Sequence, residues 1–201
     1  MPLSVPDVER DPIHTRSIEC RSYRRSDGLW DIEGHLTDIK AYPFVNEFRG
    51  EIKPGEPLHD MWLRLTVDRD FIVQGVEVHT DKGPYELCPA ILPSFQKLKG
   101  LRIGPGWNRH VREHLGGARG CAHLVDLLRP MATVAFHTVR WSDSAPANKG
   151  EKAEYPGRPP LNTCHVWAAG GEKVRTEFPD YYAGDNGDEP VRTGSPPTGN
   201  N

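Results

Sequence analysis

Residues 57–89, PLHDMWLRLTVDRDFIVQGVEVHTDKGPYELCP, decide the fold. Met61, Leu63, Leu65 and Val67 recur at every second position, the period of a strand with one buried face. After the polar link Asp68, Arg69, Asp70, the residues Ile72, Val76 and Val78 alternate again, which predicts an antiparallel hairpin. The parity of Met61 also carries His59, so the adjacent Asp60 points to the other face if the strand is regular. At Cys88 the pattern changes: Pro89 suits a first helical residue and Gly100 a stop, while Pro93 disturbs an α-helix and predicts one that is short or begins later.

Upstream, residues 13–23 are compatible with a strand of poor alternation, and LWDIEGHLTDIKAY (residues 29–42) reads as a half-buried strand. Trp30, Ile32 and Leu36 share its apolar face and Asp31, Glu33 and His35 the polar one, with Gly34 as a candidate bulge and Asp38 and Lys40 as a salt-bridged strand end. Downstream, WNRHVREHL places Trp107, Val111 and Leu115 at helical spacing before Gly116 and Gly117. From GCAHL (residues 120–124) a longer helix carries the apolar stripe Cys121, Leu124, Val125, Leu128, Ala132 and Ala135, with Pro130 predicting a kink.

The expected fold is therefore α+β: a mostly antiparallel sheet over residues 13–80 packed by helices over 88–138. These form a core domain of residues 13–140, flanked by a loose arm at 1–12, a C-terminal wrap at 141–183 containing a short hairpin, and a disordered tail at 184–201 with little to bury.

Composition narrows the function. The 201 residues suffice for one domain with appendages, and 26% charged against 36% hydrophobic residues is an ordinary balance. A net charge of -3 gives no basic stripe for nucleic acid. No apolar run approaches the roughly 20 residues that span a bilayer, and the first residues lack the apolar segment of a secretion signal, so the expected compartment is the cytoplasm. The four cysteines form no C-x-x-C pair and read as reduced thiols. GLRIGPGWN lacks the G-x-G-x-x-G order of a nucleotide loop, and no G-x-S-x-G of a serine hydrolase is present.

HTR (His14–Arg16), DGLWDIEGHLTDIK (Asp27–Lys40), GEPLHDM (Gly55–Met61), GLRIGPGW and GCAHL together resemble DUF2889, a bacterial family with no assigned activity, over about residues 13–183. More distantly, HDMWLRLTVDRDFIVQGVEV, CPAI, LKGL and GCAHLVDLLRPMATVA are similar in order to the NifU and SufU type of iron-sulfur cluster scaffold proteins. That resemblance implies a scaffold-like antiparallel sheet followed by helices, and a site at which Asp60, Cys88 and Cys121 converge on zinc or a cluster. The scaffold's first cysteine has no match, since Leu58 and His59 occupy its place.

The residues support such a site on their own account. Cys88 and Cys121 begin predicted helices, where unpaired N–H groups favour the ligating thiolate, and GCAHL offers His123 beside Cys121. With His59 or Asp60 they make a mixed sulfur, nitrogen and oxygen set that suits zinc or iron and leaves an open coordination position. Glu33 and His35, two apart on one strand face, are candidates for general base and orienting carboxylate. Arg109 and Arg112 share a helix face fit for a carboxylate substrate. His110, Glu113 and His114 match H-x-x-E-H but read as helix-flank residues. The expected function is an enzyme using one zinc or iron ion to act on a small organic acid or carbonyl compound, by hydrolysis or lyase chemistry. The alternative is a metal or iron-sulfur carrier serving a protein partner; a non-catalytic binding module is a third. Oligomeric state stays open.

Overall fold

The computed structural model describes residues 3, 4, 6–142 and 159–184. Its core is a four-stranded antiparallel sheet of β1 (His14–Arg24), β2 (Trp30–Lys40), β5 (Pro57–Val67) and β6 (Val73–Lys82), in the order β1-β2-β5-β6. A small hairpin, β3 (Phe44–Asn46) with β4 (Gly50–Ile52), bridges β2 and β5 in the chain. The fold is α+β, with helices covering one face of the sheet. The predicted hairpin is β5 and β6, turned at residues 68–72, where Asp68 Oδ1 accepts from the N–H groups of Asp70 and Ile72 and Phe71 adopts φ 63°.

Antiparallel pairing puts directly opposed residues on the same face, so the register arranges the buried face in rows. Ser22, Ile32 and Leu65 form one, Cys20, Gly34 and Leu63 the next, then Ile18, Leu36 and Met61. The last row is Arg16, Asp38 and His59. Apolar side chains thus give way, on the same face, to a row of charged and titratable ones. That polarity change positions the site.

Gly34 is not a bulge; it pairs in regular register with Cys20 and Leu63. A Cβ there would lie 2.6 Å from Met131 Sδ and 3.1 Å from its Cγ, so the glycine makes room for the helix above. The irregularity of β2 falls instead between Asp38 and Ile39, beside the polar row.

The segment beginning at Cys88 is a 3-10 helix, Cys88–Leu98, rather than an α-helix. Pro93 inside it removes a donor that an α-helical ladder needs and crowds the preceding turn, whereas Pro89 sits at the start, where no ladder donor is required. Phe95 and Leu98 are its buried anchors. α1 (Trp107–Leu115) buries Trp107, Val111 and Leu115, and Trp107 Nε1 donates to the Leu128 carbonyl at 3.2 Å, tying it to α2 (Ala122–Trp141). α2 lies over β2 and also touches β1 and β5. Its buried residues Leu124, Leu127, Leu128, Met131, Ala135 and Val139 complete the core with Trp30, Ile32, Leu36, Met61, Leu63 and Leu65. At Gly120 a Cβ would meet the Leu115 carbonyl oxygen at 2.2 Å, so only glycine permits the tight step between the helices.

In the arm, residues 3, 4 and 6–12 hold no strand or helix and are exposed. The chain divides into two units, residues 1–143 and 144–201. In the second, where a hairpin was expected, residues 159–184 form α3 (Glu172–Glu177) flanked by 3-10 turns at His165–Trp167 and Pro179–Tyr181. The run EKVRTE is rich in good helix formers, starts after Gly171, and pairs Lys173 with Glu177 one turn on, all of which oppose a strand. The rest of the expected wrap, 143–158, and the tail from 185 onward lie outside the described residues.

Candidate metal centre

Asp38 is the centre of the polar row. It is 1% exposed, on the same parity of β2 as Ile32 and Leu36. A buried carboxylate needs partners, and it finds them on both sides. Arg16 on β1 donates from Nε to Oδ1 at 2.9 Å and from Nη2 to Oδ2 at 2.8 Å, a two-point clamp. His14 Nε2 lies 2.8 Å from Oδ1. Arg16 also reaches Asp126 on α2, Nη1 to Oδ2 at 2.7 Å. Burial pushes the Asp38 carboxyl up, but the hydrogen bonds from Arg16 and His14 and the Arg16 charge more than reverse this and hold it at about 2.

His59, opposite Asp38 on β5, is 6% exposed. His123, the second residue of α2, brings a ring from above, and the two imidazoles stack with centroids 3.6 Å apart and planes 28° apart. His59 Nδ1 is 3.1 Å from Asp38 Oδ2 and His123 Nε2 is 3.6 Å from the same oxygen. The His59 contact has the length of a hydrogen bond but not its alignment, and Nδ1 is a buried nitrogen without a hydrogen-bond partner. Burial first, then the neighbouring His123, drive the His59 pKa down to about 4 against the pull of Asp38. Burial and the Arg16 charge lower that of His123 too. Both rings are therefore neutral at neutral pH, as contact stacking requires and as metal ligation needs.

One donor atom from each of Asp38, His59 and His123 lies within 4.8 Å of the other two. Donors around an ion bound at about 2.0–2.2 Å sit about 3.0–3.5 Å apart, close to the contacts of Asp38 Oδ2. The carboxylate also has lone pairs to spare, since its two oxygens offer about four sites and Arg16 and His14 take three. These residues can hold a metal ion: two imidazoles and a carboxylate, with Arg16 and His14 orienting the carboxylate from behind.

Of the residues singled out in the sequence, His59 belongs to this group. Asp60 points to the opposite sheet face, where its Oδ1 lies 2.7 Å from His35 Nε2. His35 stacks on Trp62 at 3.7 Å and 7°, so its partner is Asp60 rather than Glu33, which pairs with Arg64 at 2.8 Å. Cys88 packs beside Gly83, its Sγ 3.2 Å from where a Cβ of that glycine would be, outside the three-residue group. Cys121 is the N-cap residue of α2, its Sγ 3.8 Å from His123 Nδ1 and likewise outside the group. Arg109 lies 3.8 Å from Glu113, and Arg112 is exposed on α1. His110 Nδ1 is 3.4 Å from Glu113 Oε2 on a flank of the same helix.

Asp38, His14 and Arg16 were missed; His123 was offered beside Cys121 by GCAHL but stood outside the expected ligand set, and it belongs to the group. The signal was available: Asp38 continues the buried parity of Trp30, Ile32 and Leu36 as His59 continues that of Met61 and Leu63, and two polar residues at core positions on adjacent strands call for each other.

The chain is thus an α+β protein with a four-stranded antiparallel sheet and a buried Asp38, His59 and His123 group that could hold a metal ion. The family described as protein of unknown function (DUF2889) matches residues 14–137, and the chain belongs to it. No curated protein and no solved structure matches, scaffold proteins of the NifU and SufU type included. Among the described residues no helix is long and apolar enough to cross a membrane.

Proposed function

We propose that Asp38, His59 and His123 hold one zinc or iron ion, and that the chain is a metal-dependent enzyme acting on a small organic acid or carbonyl compound by hydrolysis or lyase chemistry. The observation that carries this is the buried, unpartnered His59 Nδ1 beside the one oxygen of Asp38 that keeps a free lone pair. A polar atom left unpaired in the interior is costly, and an ion bound to it and to Oδ2 removes that cost. Two nitrogens and one oxygen suit zinc or iron better than calcium or magnesium, which prefer all-oxygen sets. Three protein ligands leave a position for water or substrate. The side chains of His14 and His123, 46% and 27% exposed, form the edge by which solvent reaches it. There the ion would polarise a substrate oxygen or acidify a bound water. His35 and Glu33, on the other face of the sheet, take no part.

A cluster carrier finds less support, because Cys121 is the one thiol shown in contact with this group's residues and cluster ligation relies on several. The test is metal content after chelation and anaerobic reloading with zinc or ferrous iron. One ion per chain is expected, lost in Asp38→Ala, His59→Ala and His123→Ala and kept in Cys88→Ser and Cys121→Ser. Loss in the cysteine variants with retention in the others overturns the assignment. For the reaction, zinc-loaded and chelated protein are compared on small esters, hydroxy acids and aldehydes, and turnover indifferent to metal overturns the enzyme reading.

A further inference from the structure

Between β1, α1 and α2 lies an open depression of about 610 Å³, within the size range of small-molecule sites. Ile18, Val111, Val125 and Leu128 give it an apolar lining, and Ile18 is 41% exposed although it sits on the face of β1 that turns toward the core. Arg112 from α1 and Arg129 from α2 line the same depression. Neither guanidinium has a hydrogen-bond or ion-pair partner among the described residues, whereas Arg16, Arg21, Arg25, Arg49 and Arg64 each hold a carboxylate. The acid that shares the depression, Asp126, is already engaged by Arg16 at 2.7 Å. The depression therefore offers two uncommitted cations above an apolar surface.

We infer that this depression seats an organic monocarboxylate with an alkyl or aryl body, its carboxylate on Arg112 and Arg129 and its body on Ile18, Val111, Val125 and Leu128. This names the substrate class for the metal centre and rests on that reading only for the reacting end, not for binding. The same arginine that engages Asp126 in the depression clamps Asp38 in the centre. His123 and Arg129 are six residues apart on α2, about 9 Å along a helix axis at 1.5 Å per residue.

The test uses octanoate as probe and octanamide as its uncharged counterpart, titrated calorimetrically into the full chain. Two forms are compared, zinc-loaded wild type and metal-free Asp38→Ala, with zinc uptake measured separately. Octanoate is expected to bind both forms, to bind at least ten times tighter than octanamide, and to lose at least tenfold in Arg112→Gln/Arg129→Gln. Both arginines are exposed, so the fold should survive; Val125→Glu, which puts a like charge on the lining, should weaken octanoate too. Zinc binding without octanoate binding, or octanoate binding indifferent to both variants, overturns this inference and leaves the metal centre standing. Arginine-dependent octanoate binding in a protein that takes up no zinc supports the carboxylate seat and overturns the metal centre.

Discussion

Replacing His59 with leucine separates a metal ligand from a structural histidine, because the two roles predict opposite signs. Leucine fills nearly the volume of the imidazole and has no nitrogen to leave unpaired. Burying the unpartnered Nδ1 costs about 1–3 kcal/mol, which the substitution returns. Against this stands the lost stack on His123, 3.6 Å away, worth about 0.5–1.5 kcal/mol. In chelator at neutral pH, His59→Leu should therefore be as stable as wild type or more so, by about 0–2 kcal/mol. With zinc at a hundred times its dissociation constant the wild type gains about 2.7 kcal/mol by mass action, and the variant gains little. The order of stability should reverse between the two conditions. Urea unfolding of both proteins, with and without zinc, measures all four values. A variant about 2 kcal/mol or more less stable than wild type in chelator would show that Nδ1 is satisfied as part of a structural charge network. Equal zinc gains in both proteins would show that the ion sits elsewhere.

Acid should weaken the fold through the same ring. His59 has a pKa of about 4 in the folded chain and 6.5 as its ordinary value, so between those pH values the unfolded chain binds the proton more readily. Its contribution is complete above pH 6.5 and lost as pH falls toward 4, about 3 kcal/mol in all; chelated protein followed by urea midpoint against pH should lose stability over that window, and a flat profile contradicts the burial argument. Asp38, held at about 2, adds a second loss below its ordinary value of 3.8. Arg16→Gln should leave the ligands in place but release the carboxylate, lowering zinc affinity about 10- to 100-fold in a competition titration; unchanged affinity removes Arg16 from the centre. Gly34→Ala puts a Cβ 2.6 Å from Met131 Sδ and should cost about 1–3 kcal/mol, eased by Met131→Ala in the double variant; no cost in the single variant would mean that the methionine chain simply swings aside.

Much of the fold was legible because period carries it. Met61, Leu63 and Leu65 alternate too regularly for anything but a strand, and the stripe from Leu124 to Ala135 fits only a helix. Pro93 was enough to doubt a regular α-helix at Cys88, and the structure has a 3-10 helix there. The site was half legible. His59 stood on the core parity, but the thiols drew attention because cysteine is the commoner ligand signal, while Asp38 looked like a strand end. Nothing local shows that the last row of the buried face is polar across three strands: that depends on the β1–β2 and β2–β5 registers, which bring together residues 22 and 21 positions apart in sequence. Gly34 misled for a similar reason. Its cause, Met131, is 97 residues away on a helix whose seating no local pattern reveals.

An anomalous-scattering map from crystals of the chain loaded with zinc or ferrous iron tests the Asp38, His59 and His123 centre most directly. One peak is expected, about 2.0–2.2 Å from an Asp38 carboxylate oxygen and from one nitrogen each of His59 and His123. A peak bonded to Cys88 or Cys121 sulfur, or no peak while Arg16 and His14 alone satisfy Asp38, would contradict it.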